Sequence, residues 1–204
     1  MRLTQRSYVD EDLSEVDLAD ADLGGLEFVR CDFSGASLAR VRTRGTAFTD
    51  CVFHGVELYD SEHRASSFVT CTFTDASLAG AALHGCRLTG SSWTDCRLRA
   101  LTVRDCDLTL VGLAGERLPG TDLSHLRLRE ANLTGAVLTG CDLRGADLTG
   151  ARLGRADLRR ADLRGALTDA GGWVAAQLTG AVIDLDQAAR FAAAHGLTLA
   201  PPGD

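Results

Sequence analysis

Seven cysteines and one histidine are the residues of this chain whose chemistry demands the first test. Cys31, Cys51, Cys71, Cys86, Cys96, Cys106 and Cys141 could supply zinc ligands, a disulfide framework or a nucleophile if their spacing gathered several at one place. Every separation among them is instead a multiple of five. His63 sits in the same five-residue grid, as does Thr43, twenty residues earlier. No Ser/His/Asp set, phosphate-binding loop, paired inward carboxylates or metal-ligand spacing rises above that grid, so the expectation is no catalytic residue, no metal and no cofactor. Asn132 opens an Asn-Leu-Thr sequon, but it also fits an outward position of the grid.

The grid is a repeat. From Tyr8 to Leu163, stepping by five, there are 32 positions, of which 21 are Leu and six are Phe; the others are Tyr8, Thr43, His63, Trp93 and Val103. Two residues before each centre stands a small one, such as Ala21, Ala76 or Ala131, and all seven cysteines fall there. Two residues after it, Gly is frequent, as at Gly35, Gly85 and Gly145. A period of five suits neither a helix nor an ordinary strand, so the chain must turn every five residues. Centre and small residue point inward, and a cysteine there is expected to be a small, buried, apolar thiol in a reducing environment. His63 is expected inside, either hydrogen-bonded to backbone or marking a bulge.

Like residues recur at 20, not 15. Phe33, Phe53, Phe73 and Trp93 form one column, Phe28, Phe48 and Phe68 another, and Leu18 to Leu158 an unbroken leucine column. Stacked coils place like residues above one another, so each coil has four sides, and 32 repeats make eight coils. At ~4.8 Å per coil the solenoid is roughly 38 Å long. The expected class is an all-β solenoid over residues 1–165, followed by a modified last coil and a capping or dimerisation module over residues 166–204.

Net charge is −7, which disfavours direct nucleic-acid binding and favours a basic protein partner. The side centred on Leu13, Phe33 and Phe53 sums to −4, the side of Tyr8, Phe28 and Phe48 to −1, and the other two to zero. On the side of Leu143 and Leu163, Asp142 and Asp162 stand two residues from Arg144 and Arg164 and can pair with them. The acidic flank comprises Glu11, Asp12, Glu15, Asp32, Asp75 and Asp95, bordered by Asp50, Asp107 and Asp147. No stretch is long and apolar enough for a membrane span and the first residues lack a signal-peptide run, so the expected location is the cytoplasm.

After Ala166 the register decays, although Trp173, Leu178 and Ile183 keep step. Residues 186–195, DQAARFAAAH, read as a short helix with Asp186 as N-cap and Gly196 beyond its end. Segments such as ANLTG AVLTG CDLRG ADLTG carry an A-D-L-x-G consensus and resemble the pentapeptide-repeat family. The tail around DQA and FAAAHGL is similar to that of the mycobacterial fluoroquinolone-resistance (MfpA-like) type, a relative of the Qnr-type quinolone-resistance proteins.

That resemblance implies a right-handed quadrilateral β-helix with a short C-terminal α-helix. It also implies a homodimer joined through the C-terminal module, a rod of roughly 75 to 80 Å. Leu185, Ala188, Phe191, Ala192, Leu197 and Leu199 are then assigned to the dimer seam or cap. The implied activity is mimicry of duplex DNA toward DNA gyrase or the related topoisomerase IV, with protection from quinolones, and Glu11, Asp12, Glu15, Asp32, Asp50, Asp75, Asp95 and Asp107 as the binding face. No enzyme activity, small-molecule substrate or membrane partner is implied. Loops that interrupt the repeats in plasmid-borne relatives have no counterpart here. Two alternatives stand beside this reading: a self-immunity factor encoded with a toxin, and a structural scaffold without gyrase affinity.

Overall fold

The computed structural model describes residues 3–169, 172–198 and 200. Eleven three-residue strands precede one helix: β1 (Ser7–Val9), β2 (Glu27–Val29), β3 (Arg42–Arg44), β4 (Ala47–Thr49), β5 (Val52–His54), β6 (Glu62–Arg64), β7 (Ser67–Val69), β8 (Thr72–Thr74), β9 (Ala82–His84), β10 (Ser92–Thr94), β11 (Thr102–Arg104) and α1 (Leu185–Ala194). All pairing is parallel and offset by 20 residues: β1-β2-β4-β7 on the first face, β5-β8-β10 on the second and β3-β6-β9-β11 on the fourth. Isolated bridges continue the ladders. On the first face the rungs run from Ser7 to Leu167 in eight steps of 20 residues. The four-sided solenoid expected from the column pattern is therefore the fold.

Each side ends in a corner, and the corner dictates the backbone. Every residue two positions after a centre, from Asp10 to Gly165, has φ between +47° and +76°. Eighteen of these 32 are not glycine, including Thr70 and Leu110, so glycine eases the corner without being required by it. At Gly35 the lack of a side chain has a second use, because the carboxylate of Glu15, one coil below, lies where a Cβ would be.

The interior is filled by the centres. Tyr8, Phe28, Phe48 and Phe68 stack nearly parallel at 5.2, 5.0 and 4.8 Å between centroids, and Phe33, Phe53 and Phe73 at 5.1 and 4.6 Å. The two stacks meet edge to face, as at Phe28 and Phe33 with 72° between planes. Each contact adds about 0.5–1.5 kcal/mol beyond burial. Most strand-like sides have aromatic or β-branched centres, whereas leucine centres mostly sit between tight turns.

The small inward residues do more than fit. At turn-closed corners an alanine suffices, because its own N–H bonds the preceding centre's carbonyl, as from Ala36 to Phe33 at 3.0 Å and Ala131 to Leu128 at 3.2 Å. After several strand-like sides that N–H is taken up by the side chain one coil above: Thr46 N–H donates to Ser66 Oγ, Cys71 N–H to Ser91 Oγ and Cys86 N–H to Cys106 Sγ. Each of the seven cysteines also donates its S–H to the carbonyl of the centre 23 residues earlier, at 2.8–3.6 Å. The expectation of a merely apolar thiol is corrected: apart from Cys141, whose acceptor Leu118 O is also met by Thr121 N–H, these cysteines, with Thr46, Ser66 and Ser91, satisfy buried backbone that alanine would leave unpaired.

The C-terminal module differs in detail from the sequence expectation. The N-cap of α1 is Asp184, not Asp186, because Asp184 Oδ1 accepts from Gln187 N–H while Gln187 Oε1 accepts from Asp184 N–H, a reciprocal capping box. Gln187 is buried and its Nε2 donates to the carbonyls of Leu163 and Ala166, at 2.6 and 2.9 Å, so it closes the last coil. Trp173 is buried beneath the helix, and Phe191 packs on the core's edge. Gly196, at φ +73°, follows the helix end as expected.

Ser91 isolates the backbone-satisfying role, since its Oγ also donates to Phe68 O at 2.7 Å. Ser91→Ala is expected to lower stability by about 1–3 kcal/mol in urea unfolding, and Ser91→Cys by less than about 1 kcal/mol.

Candidate binding surface

Outward positions on each side are the ones before and after the centre, together with the corner. An aspartate or asparagine before the centre shapes its own turn, its Oδ1 accepting the N–H two residues on. This holds for Asp12 with Ser14 at 3.0 Å, Asp32 with Ser34 at 2.8 Å, Asp107 with Thr109 at 3.1 Å and Asn132 with Thr134 at 3.3 Å. Such Asx turns are why the repeat favours Asp or Asn there. The bonds from Ser14 also hold the Asp12 carboxyl below its ordinary value.

The structure sorts the acidic residues by what neutralises them. Glu11, Asp12, Glu15, Asp32, Asp75 and Asp95 all lie on the second face or its corner, and all are exposed apart from their local hydrogen bonds. Asp75 has His54 Nδ1 at 4.0 Å, and Asp50, at the corner with the first face, bonds the hydroxyl of Thr70. Asp107 belongs elsewhere: it lies on the first face, only partly exposed, with Arg127 at 3.4 Å. Asp147 is likewise matched by Arg129 at 3.1 Å. Other carboxylates are paired too, Asp10 with Arg30, Asp20 with Arg40, and Asp142 and Asp162 with Arg144 and Arg164. From Glu11 to Gly135 the second face carries no arginine, which returns only at Arg152 and Arg155.

Inside, the residues that could have held a ligand are matched with one another. His63 is fully buried, with Nδ1 2.9 Å from Thr43 Oγ1 and Nε2 2.9 Å from Ser61 Oγ. Ser61 donates to Leu58 O at 2.6 Å, so it accepts from His63 Nε2–H, and Nδ1 accepts from Thr43. Thr43 in turn lies 2.9 Å from Ser66 Oγ. His63 keeps the ladder register against Thr43 and Leu83, so there is no bulge, and its partners are hydroxyls, not backbone. Burial lowers its pKa to about 4.

Sequence reasoning missed Glu116. It occupies an inward small position, two before Leu118, and is 4% exposed, its Oε1 accepting from Cys96 N–H at 3.4 Å. Burial raises its pKa. The register alone locates it, as the one carboxylate in a column of Val, Ala and Cys above the first coil. Burial also raises the pKa values of the Cys96 and Cys141 thiols to about 11, which keeps them protonated and unreactive at neutral pH. Among the described residues no three His, Cys, Asp or Glu side chains are gathered as a metal site would need, and no helix is long and apolar enough to cross a membrane.

At the C-terminal end the dimer-or-cap residues separate. Ala188, Phe191 and Ala192 are half-buried, Phe191 against the core, whereas Leu185 and Leu197 are 89% and 64% exposed. Leu185 and Leu197 therefore do not cap the solenoid within one chain. Leu199 lies outside the described residues.

A family model described as pentapeptide repeats matches in eight copies, over residues 12–42, 31–62, 64–90, 76–113, 106–145 and 127–165. The chain belongs to the pentapeptide-repeat family. Two trypsin-treated variants of QnrB1, described as a plasmid-mediated fluoroquinolone resistance protein, superpose with a TM-score of 0.83 at 22% and 23% identity, covering 95% of this chain and 97% of theirs. Full-length QnrB1 gives 0.79 at 20% identity, covering 94% and 100%. At these identities what is shared is the β-helical fold. No curated protein matches the sequence.

The buried imidazole fixes a pH dependence. The unfolded chain takes up a proton near the ordinary histidine value of 6.5, and the folded chain only near 4. The neutral, folded form thus has its full advantage above about pH 6.5 and loses it progressively as pH falls toward 4. His63→Leu is expected to remove up to about 1.4 kcal/mol per pH unit of that slope, checked by denaturant unfolding of both proteins between those pH values.

Proposed function

We propose that this protein acts by binding, not catalysis: its acidic second face occupies the positively charged DNA-binding surface of DNA gyrase, or of the related topoisomerase IV, and so protects the enzyme from quinolones. The observation that carries the reading is a face with no arginine over seven successive coils, holding Glu11, Asp12, Glu15, Asp32, Asp75 and Asp95, with Asp50 at its edge. On the other three faces arginines nearly equal the carboxylates in number, so the excess negative charge of the solenoid lies on one side. The fold shared with QnrB1, described as a fluoroquinolone resistance protein, and the MfpA-like C-terminal sequence support the same partner. Asp107 is left out of the binding face because Arg127 neutralises it.

The test separates charge from fold. Asn can accept the same turn hydrogen bond as Asp32 and tolerates the positive φ of Asp75 and Asp95, so Asp32→Asn, together with Asp75→Asn and Asp95→Asn, removes three charges while preserving the corners. The purified protein is expected to inhibit gyrase supercoiling at low salt and less at high salt, with the triple variant roughly tenfold weaker or more. Full inhibition by the triple variant would exclude this face, and no effect of the unaltered protein would exclude gyrase.

We also infer a two-fold dimer through the C-terminal module. Leu185 and Leu197 are exposed beside the end of the solenoid, along with Val182 and Val174, and a second copy would cover them. Leu185→Glu with Leu197→Glu is expected to convert the dimer to a folded monomer in sedimentation, since neither side chain packs against its own core.

A further inference from the structure

The third face holds the reverse of the acidic flank. At Arg144, Arg159 and Arg164 the residue two before the arginine is an aspartate, and the pair closes at 2.5–2.6 Å. Arg99 has Arg97 in that place, and Arg117 stands directly above Arg97 in the next coil, about 4.8 Å along the axis. None of these three has an ion-pair partner among the described residues. Three exposed guanidinium groups therefore repel one another with no carboxylate between them.

They border a groove of about 450 Å³ in which Ala100 and Pro119 are exposed and Ala79 and Cys96 half-exposed. The groove continues over the corner, where Ala100 and Gly120 leave the ridge low, into a second hollow of about 260 Å³ lined by both Arg104 and Asp122, so the uncompensated positive charge is confined to the first groove. The positive patch is short. Glu57 and Asp60 lie on the same face toward the N-terminus, where a long polyanion laid along the axis would meet carboxylates, whereas Asp157 toward the C-terminus is already matched by Arg159.

We propose that this groove docks a short acidic segment of a partner protein, with carboxylates on Arg97, Arg99 and Arg117 and an apolar side chain against Pro119. The site adjoins the acidic second face, whose corner residue Asp95 stands two residues before Arg97, but it lies on the next face. Charge complementarity identifies the occupant: the segment supplies the anions that the repeat's usual Asp would have supplied, and the shortness of the patch selects a peptide over a nucleic acid.

The variant that tests this is built into the repeat. Arg97→Asp restores the Asp-x-Arg arrangement of Asp157 and Arg159, so it folds and quenches Arg99 internally. In fluorescence anisotropy at low salt, a labelled glutamate-rich peptide with one central phenylalanine is expected to bind the full chain and to lose roughly tenfold in affinity with Arg97→Asp. Arg117→Asp is expected to weaken binding similarly, and Arg152→Asp, away from the groove, to leave it unchanged. No binding by the unaltered protein, or equal binding by Arg97→Asp, would overturn the proposal. An oligothymidylate of equal charge binding as tightly as the peptide would overturn the choice of occupant.

Discussion

A chain that turns every five residues must place a left-handed corner and an interrupted hydrogen-bond pattern at each turn, and everything else in this molecule answers to that constraint. Parallel rungs 20 residues apart carry most backbone groups. The corners are matched in two ways. A tight turn closes on its own carbonyl and permits alanine inside; a strand-like side leaves its last N–H open, and at several of them it is met from the coil above by Ser, Cys or Glu116. Bulky centres and polar small residues therefore belong together, in the N-terminal coils where the aromatic stacks lie. The leucine- and alanine-rich C-terminal coils mostly close their own turns.

The same constraint limits what the surface can mean. Asp12 and Asp32 are exposed and charged, yet each is also the acceptor that shapes its turn, so an aspartate before a centre is structural before it is functional. What distinguishes one face from another is the presence or absence of a compensating arginine. Arginine two residues on, or one coil away, silences a carboxylate; the second face lacks it and the third face, at Arg97 and Arg99, inverts it. Partner choice in such a fold resides in departures from the repeat.

The five-residue period, the four sides and the stacked columns were all legible from residue type, because a centre's direction is set by position alone. So was the Asp142–Arg144 pairing, which needs only two residues of one side. The cysteines' polar role was not legible, since it depends on whether the coil beneath turns tightly or runs as a strand. His63 could be placed inside by register, with Thr43 beneath it, but its other partner, Ser61, comes from the neighbouring corner. Asp184 and Gln187 were missed for a related reason: α1 is capped by a reciprocal bond, and Gln187 gains its second role only from the open carbonyls of the coil end. Glu116 lay in plain register and was missed because its neighbours in that column are small and apolar, Cys96 below it and Ala136 above.

The acidic face is uneven, with carboxylates at Glu15, Asp75 and Asp95 on its corner but Gly35 and Gly55 between them. Point-by-point imitation of a regular phosphate spacing is therefore not what the surface offers. The relevant length is that of screening, about 8–10 Å near physiological salt, against a rise of ~4.8 Å per coil. Charges one or two coils apart overlap within that distance, so Asp75 and Asp95 act together and Asp50 extends their field toward Asp32. An approaching cationic surface meets a broad negative potential rather than separate carboxylates. Shape then contributes through the regular 20-residue register of the stack, and the carboxylates through their sum.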